Sequence, residues 1–225
     1  MTEKAERFAA LQAERAEALV QRLDELLPLA GDERVLDVGA GTGAFAFALA
    51  PRVREVIAVD SDSAMVERAR RDAPANVDVV EGDGERLPFD DFSFDLAIAA
   101  RTLHHTTRPE LVIAELSRVT RPGGSLLVVD QLAPVDPLAA FELNRFERAR
   151  DASTTRVLSD ADLRGLFDAN GLVLRSSEVV REDRDLGRYL DLAGCEGDER
   201  ARAQALAPAD VRAEVGWYVL RRPGL

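Results

Sequence analysis

Gly39, Gly41 and Gly43 stand in the stretch RVLDVGAGTG, and Asp60 follows Gly43 by 17 residues. Glycines at alternate positions let the backbone take positive φ and come close to a ligand, and a helix that follows presents free N–H groups. An acid after the next strand is placed to accept hydrogen bonds from two ribose hydroxyls, so a nucleoside is the implied ligand. The stretch GAGTGA also satisfies G-x-G-x-x-A, which nicotinamide-binding folds share, and on these residues alone both readings stand. Asp83, in EGDGERLPFDDFSFD, could accept from an exocyclic adenine amine, with LPF turning the chain back toward the next strand. His104 and His105 are the two histidines of the chain. Imidazole titrates near neutral pH, so either is a candidate general base for an ionisable hydroxyl or acidic carbon. Neighbours in a loop tend to point different ways, which predicts one ring facing the site and the other serving structure.

These groups need elements to position them. Strand-like runs are RVLDVG, EVIAVD, NVDVVEG, FDLAIAA, SLLVVD, GLVLRSSEVV and VGWYVLRR, with helical patterns separating the first five. That alternation predicts a parallel sheet covered by helices on both faces, whose ligands bind at the carboxyl ends of the strands. Pro109 sits in a first helical turn before ELVIAELSRV, and RPGG (Arg121 to Gly124) ends that helix and turns into the next strand. Ser159 and Asp162 form a capping box for DADLRGLFDAN, with Asn170 and Gly171 as its stop. Phe8, Leu11, Leu19, Leu23, Leu26 and Leu27 mark an amphipathic N-terminal helix that packs on the domain or closes over a pocket. The segment DRDLGRYLDLAGCEGDERARAQALAPAD reads as a polar, partly helical insertion between the last two strands.

Composition narrows the function classes. A chain of 225 residues that is 46% hydrophobic can bury a full core as one domain. A net charge of −12 opposes general binding to nucleic acid or to an anionic membrane. Lys4 is the only lysine, which argues against phosphate-loop ATPases and Schiff-base enzymes. With Cys195 the only cysteine, an intrachain disulfide and a cysteine-based zinc site are both out. The charged N-terminus reads as neither signal peptide nor membrane span, and the expectation is a cytoplasmic protein.

Together the glycine turn, Asp60, the GDGERLPF loop, ARTLHHT after the fourth strand and RPGGSLLVVD resemble the class I S-adenosylmethionine-dependent methyltransferases. The resemblance is to their small, ubiquinone- and menaquinone-biosynthesis-like branch, methyltransferase type 11, and runs as motifs from about Val35 to Asp130. It implies an α/β, Rossmann-like, seven-stranded, mostly parallel sheet with helices on both faces, the last strand antiparallel and an N-terminal helical cap. The division implied is 1–30 cap, 31–131 cofactor-binding core, and 132–225 substrate-side helices with the final antiparallel strand pair. Carried over position by position, Asp37, Gly39, Ala40, Gly41 and Gly43 line the methionine end of S-adenosylmethionine, and Asp60 binds the ribose. Ser61 and Met65 border the adenine, Met65 being equally readable as a core residue of its helix. Asp83 meets the adenine amine, Gly84 offers its N–H, and the backbone of Ala100 and Arg101 faces the amino-acid part.

The acceptor implied is a small molecule, with O-, N- and C-methylation left open. ARTL stands where amino-directed nucleic-acid enzymes carry [ND]PPY, so no nucleic-acid partner is expected; nor is a membrane or a metal, and the chain reads as monomer or homodimer. Arg145, Arg148, Arg150 and Arg156 form either a solvated face paired with Glu142, Glu147 and Asp151 or, through Arg150 or Arg156, a clamp for an acidic substrate group. Two rival classes stand beside the enzyme: a non-catalytic S-adenosylmethionine-binding regulator and a nicotinamide-dependent oxidoreductase.

Overall fold

The computed structural model describes residue 16 and residues 18–208 and 211–224; Phe8 and Leu11 of the amphipathic pattern lie outside them. The elements are α1 (18–26), β1 (Arg34–Val38), α2 (Ala44–Leu49), β2 (Glu55–Asp60), α3 (Ser63–Asp72), β3 (Val77–Glu81) and β4 (Phe94–Ala100). There follow a single 3₁₀ turn (Leu103–His105), α4 (Pro109–Val119), β5 (Thr120–Leu132), α5 (Pro137–Arg150), α6 (Asp160–Ala169), β6 (Val173–Glu182), α7 (Leu186–Ala193), α8 (Gly197–Leu206) and β7 (Ala213–Arg221).

Seven strands form one sheet in the order β3-β2-β1-β4-β5-β7-β6. The first five run parallel, and β7 lies antiparallel between β5 and β6. Strand order reverses between β1 and β4, so the ligand crevice falls where β1 and β4 end. Alternate residues feed opposite faces: Leu36, Val38, Ala97, Ala99 and Val128 pack with α4 and α6, whereas Val35, Val56, Ile98 and Val129 pack with α1 and α2. Val20 and Leu23 of α1 are fully buried in the second layer.

Two expectations are corrected. Helices separate β1 from β2, β2 from β3 and β4 from β5, but β3 and β4 are joined by a loop carrying one isolated bridge, Asp83 to Arg86. RPGG does not precede β5 but lies inside it, where the pairing register with β4 shifts between Phe94 and Leu96. Gly123 takes φ 75° there, so the strand absorbs the turn as an irregularity. The capping box of Ser159 and Asp162 and the stop at Asn170 and Gly171 form as expected. The insertion is more than polar: α5, α7 and α8 close a small core of their own around Phe146, Tyr189, Leu190, Cys195 and Ala203.

Candidate functional site

The turn after β1 is built around Asp60. Gly39 and Ala40 donate their N–H groups to the Val59 carbonyl at 2.8 and 3.0 Å, and Gly41 donates to Asp60 Oδ2 at 2.7 Å. Asp60 Oδ1 accepts from the Asp62 N–H at 2.9 Å. One carboxylate therefore joins the glycine turn to the start of α3, whose first turn holds Met65, half-buried, while Ser61 stays exposed. Gly39, Gly41 and Gly43 all have positive φ, at 73°, 58° and 82°. At Gly39 a close approach adds to that demand: a Cβ would lie 2.4 Å from the side chain of Thr102, which donates from Oγ1 to the Val38 carbonyl at 2.9 Å. The end of β4 is thus pressed onto the glycine turn. Gly84 likewise leaves room for Val38, 2.7 Å from where its Cβ would stand, and so brings the Asp83 loop over the same crevice. Asp83 itself is exposed, with Oδ1 accepting from the Glu85 N–H at 2.8 Å.

Asp37 gives the crevice its electrostatic character. It is buried at 2% exposure, and its Oδ2 has no hydrogen-bond partner. Burial, and then the neighbouring charge of Asp60, push its carboxyl up to about 7. A buried carboxylate beside a second one calls for a cation. The ammonium of an amino-acid moiety satisfies that demand; the pyrophosphate of a nicotinamide dinucleotide would add negative charge to it. The residues present therefore fit S-adenosylmethionine, and the oxidoreductase reading loses its ground.

Past Ala100, Arg101 takes φ 58°, donates its N–H to the Val129 carbonyl at 2.6 Å and pairs its guanidinium with Glu182. The histidines follow in the 3₁₀ turn. His104 Nδ1 lies 2.5 Å from Asp130 Oδ1, and the His104 N–H donates to Asp130 Oδ2 at 3.1 Å. Burial opposes ionisation of Asp130, yet His104 and the Gln131 N–H hold its carboxyl below the usual range. His105 Nδ1 lies 3.0 Å from Ser153 Oγ. The two rings do not diverge: their centroids are 4.1 Å apart, because the tight turn keeps them adjacent and each is tethered from its own side.

The arginines of α5 and of the loop after it divide. Arg156 is exposed and pairs with Asp162, and Arg145 sits over the Phe141 ring. Arg150 does not belong to a solvated face. It is held 2.9 Å from buried Glu147 and lies over the Tyr189 ring, which also carries Arg184. Glu147 further accepts from Gln131 and from the Tyr189 hydroxyl. This packing makes Arg150 an internal counter-ion rather than a clamp open to substrate. A groove is lined by Ala133, Val135, Phe141, Asn144, Arg148 and Arg156, and the Arg156 N–H donates to the His104 carbonyl at 3.2 Å. Among the described residues no group of three or more histidine, cysteine or acidic side chains is arranged to hold a metal, and no helix is long and apolar enough to cross a membrane.

Sequence reasoning missed Asp130 as the partner of His104, although a carboxylate near the end of a buried strand was a readable signal. It missed Ser153, Glu182 and Tyr189, and placed Asp151 only among the partners of the arginines; for none of these roles does a local pattern exist.

Residues 36–128 match a protein family described as a methyltransferase domain. The chain is 39% identical over 145 residues to the uncharacterized methyltransferase YcgJ of Bacillus subtilis (strain 168), covering 63% of this chain and 57% of that protein. It is 35% identical over 134 residues to the demethylmenaquinone methyltransferase of Clavibacter sepedonicus, covering 59% and 54%. The chain thus spans little more than half the length of the curated relatives it matches. The crystal structure of YcgJ superposes with a TM-score of 0.81 at 25% identity over 94% of this chain and 99% of that one. A candidate methyltransferase of Bacillus halodurans C-125 gives 0.83 at 26% identity over 91% and 98%.

Proposed function

We propose that this chain, whose residues 36–128 match a methyltransferase domain, uses S-adenosylmethionine as its cofactor and methylates a small molecule that carries an ionisable proton. One observation carries the reading: Thr102 packs on the cofactor turn at Gly39, and two residues later His104 is oriented by Asp130. Binding site and base are thereby fixed to one another through a single short stretch of chain.

When bound, S-adenosylmethionine supplies a methyl group already activated by a sulfonium, with S-adenosylhomocysteine as the product. The chain's own residues do the rest. Asp37 takes the ammonium, with Gly39, Ala40, Gly41 and Gly43 allowing close backbone approach. Asp60 accepts from the ribose hydroxyls, Asp83 from the adenine amine, and Ser61, Met65 and the Gly84 N–H border the base. The backbone of Ala100 and Arg101 faces the amino-acid part. An ionised Asp130 can only accept, so His104 carries its proton on Nδ1 and offers Nε2 as the base. That nitrogen holds the acceptor's proton, and Asp130 stabilises the imidazolium. Alignment of the acceptor and exclusion of water supply much of the remaining rate.

A small acceptor is supported by the groove that Phe141, Asn144 and Arg156 line and by the charge of −12, which repels polyanions. Calorimetric titration with S-adenosylmethionine, S-adenosylhomocysteine and NAD, followed by an acceptor screen that reads S-adenosylhomocysteine release, tests the proposal. Binding of the first two, lost in Asp60→Ala, with turnover of a phenolic, enolic or acidic-carbon acceptor, is the expected result. NAD binding overturns the cofactor assignment. Cofactor binding without turnover of any acceptor leaves a regulatory binding protein instead.

A further inference from the structure

We propose that Ser153 and Asp151 are positioning residues that fix His105 with its proton on Nδ1, so that its Nε2 stands beside that of His104 as a second proton acceptor. The inference rests on the reading of the histidines as the acceptor's base and adds a pair of residues to it.

Ser153 Oγ lies 2.7 Å from Asp151 Oδ1 and 3.0 Å from His105 Nδ1. Burial works against ionisation of Asp151, but the hydroxyl and N–H of Ser153, and then Arg150, hold its carboxyl below the usual range. An ionised carboxylate only accepts, so the one hydroxyl proton of Ser153 goes to Asp151. The serine oxygen must then accept, and His105 Nδ1 must donate. No described residue hydrogen-bonds Nε2 of either histidine.

The loop that bears Ser153 is itself fixed to the 3₁₀ turn. The Thr155 and Arg156 N–H groups both donate to the His104 carbonyl, at 2.9 and 3.2 Å, and the Ser153 N–H donates to Asp151 Oδ1 at 3.0 Å. The charged and titratable groups facing His105 are His104 in its own turn, Asp130 at the end of β5 and Asp151 beyond α5. Burial and then His104 lower its basicity, while Asp151, the Ser153 backbone and Asp130 oppose them. His105 is thus kept neutral and ready to accept while its neighbour is bound to a carboxylate, and the pair takes up one further proton rather than two.

With two histidines in the chain, nuclear magnetic resonance resolves both rings. Two-bond proton–nitrogen correlations of the full-length protein, uniformly labelled at histidine nitrogen, report the tautomer of each ring without cofactor or acceptor. The expected spectrum shows both histidines protonated at Nδ1. Ser153→Ala moves His105 to a mixture dominated by Nε2–H and leaves His104 unchanged, and Ser153→Thr restores the original pattern. Asp151→Asn lowers the titration midpoint of His105 by about half a pH unit or more, since it removes an opposing negative charge. A His105 protonated at Nε2 in the unmodified protein, or one unmoved by Ser153→Ala and Asp151→Asn, overturns the proposal. Because the readout needs no turnover, its failure is separate from failure of the methyltransferase reading, which the acceptor screen decides.

Discussion

Asp130 holds His104 at two points, Oδ1 lying 2.5 Å from Nδ1 and Oδ2 accepting the backbone N–H at 3.1 Å. The same carboxylate therefore sets both where the imidazole sits and which nitrogen is protonated. Asp130→Asn keeps the shape but can present an N–H to Nδ1, which moves the imidazole proton to Nε2. We expect kcat to fall by about 10²- to 10⁴-fold with cofactor affinity unchanged, as measured by steady-state kinetics and titration of the variant.

Asp37 makes the cofactor-free protein sensitive to pH. Its folded carboxyl is raised to about 7, so between the unfolded carboxylate range and 7 the unfolded chain binds fewer protons. The contribution of Asp37 to stability is then greatest in acid and is lost as pH rises, by up to about 4 kcal/mol. Asp37→Asn is expected to raise the melting temperature at pH 8 far more than at pH 5 and to abolish cofactor binding. Thermal melts at both pH values with one titration check it.

Gly39→Ala tests the contact between turn and strand. The new methyl would meet Thr102 at 2.4 Å on a backbone at φ 73°. Overpacking costs roughly 1–3 kcal/mol and the left-handed backbone adds to that. Pairing it with Thr102→Ala relieves part of the steric share, since the Cβ of residue 102, 2.9 Å away, remains. Urea unfolding of both proteins should show partial recovery in the double variant.

Glu147 neutralises Arg150 and Arg184 inside the small helical core, where its side chain is 2% exposed. Burial resists its ionisation, but Arg150, Gln131 and Arg184 prevail and hold its carboxyl low. Removing one partner of such a network leaves charge uncompensated, at a cost of about 3–5 kcal/mol. Glu147→Ala should therefore unfold at markedly lower denaturant. Because the folded carboxyl is lowered, the native protein loses this contribution as pH falls through the folded value, which an acid titration followed by circular dichroism would show.

The sheet was legible because buried strands such as EVIAVD and SLLVVD stand between turn and capping residues, and the cofactor turn because its chemistry is local: three glycines, then an acid after one more strand. The histidine site was legible only by half. His104 and His105 adjoin in sequence, but their partners Asp130 and Ser153 lie 26 and 48 residues away, and which carboxylate meets which ring depends on how β5 and the loop after α5 dock. The burial of Arg150 was hidden for the same reason. Its counter-ion Glu147 is three residues away, as a surface pair would be, and only Tyr189, from an insertion that looks polar, closes the lid over it.

The strand that comes after every other in chain order is an interior one, flanked by β5 and β6. During synthesis β6 emerges with no neighbour to pair with, and β5 keeps a bare margin until residues 213–221 leave the ribosome. The nascent protein thus passes through a stage with two unsatisfied edges, a stage open to mispairing between chains and one that makes folding wait for distant contacts.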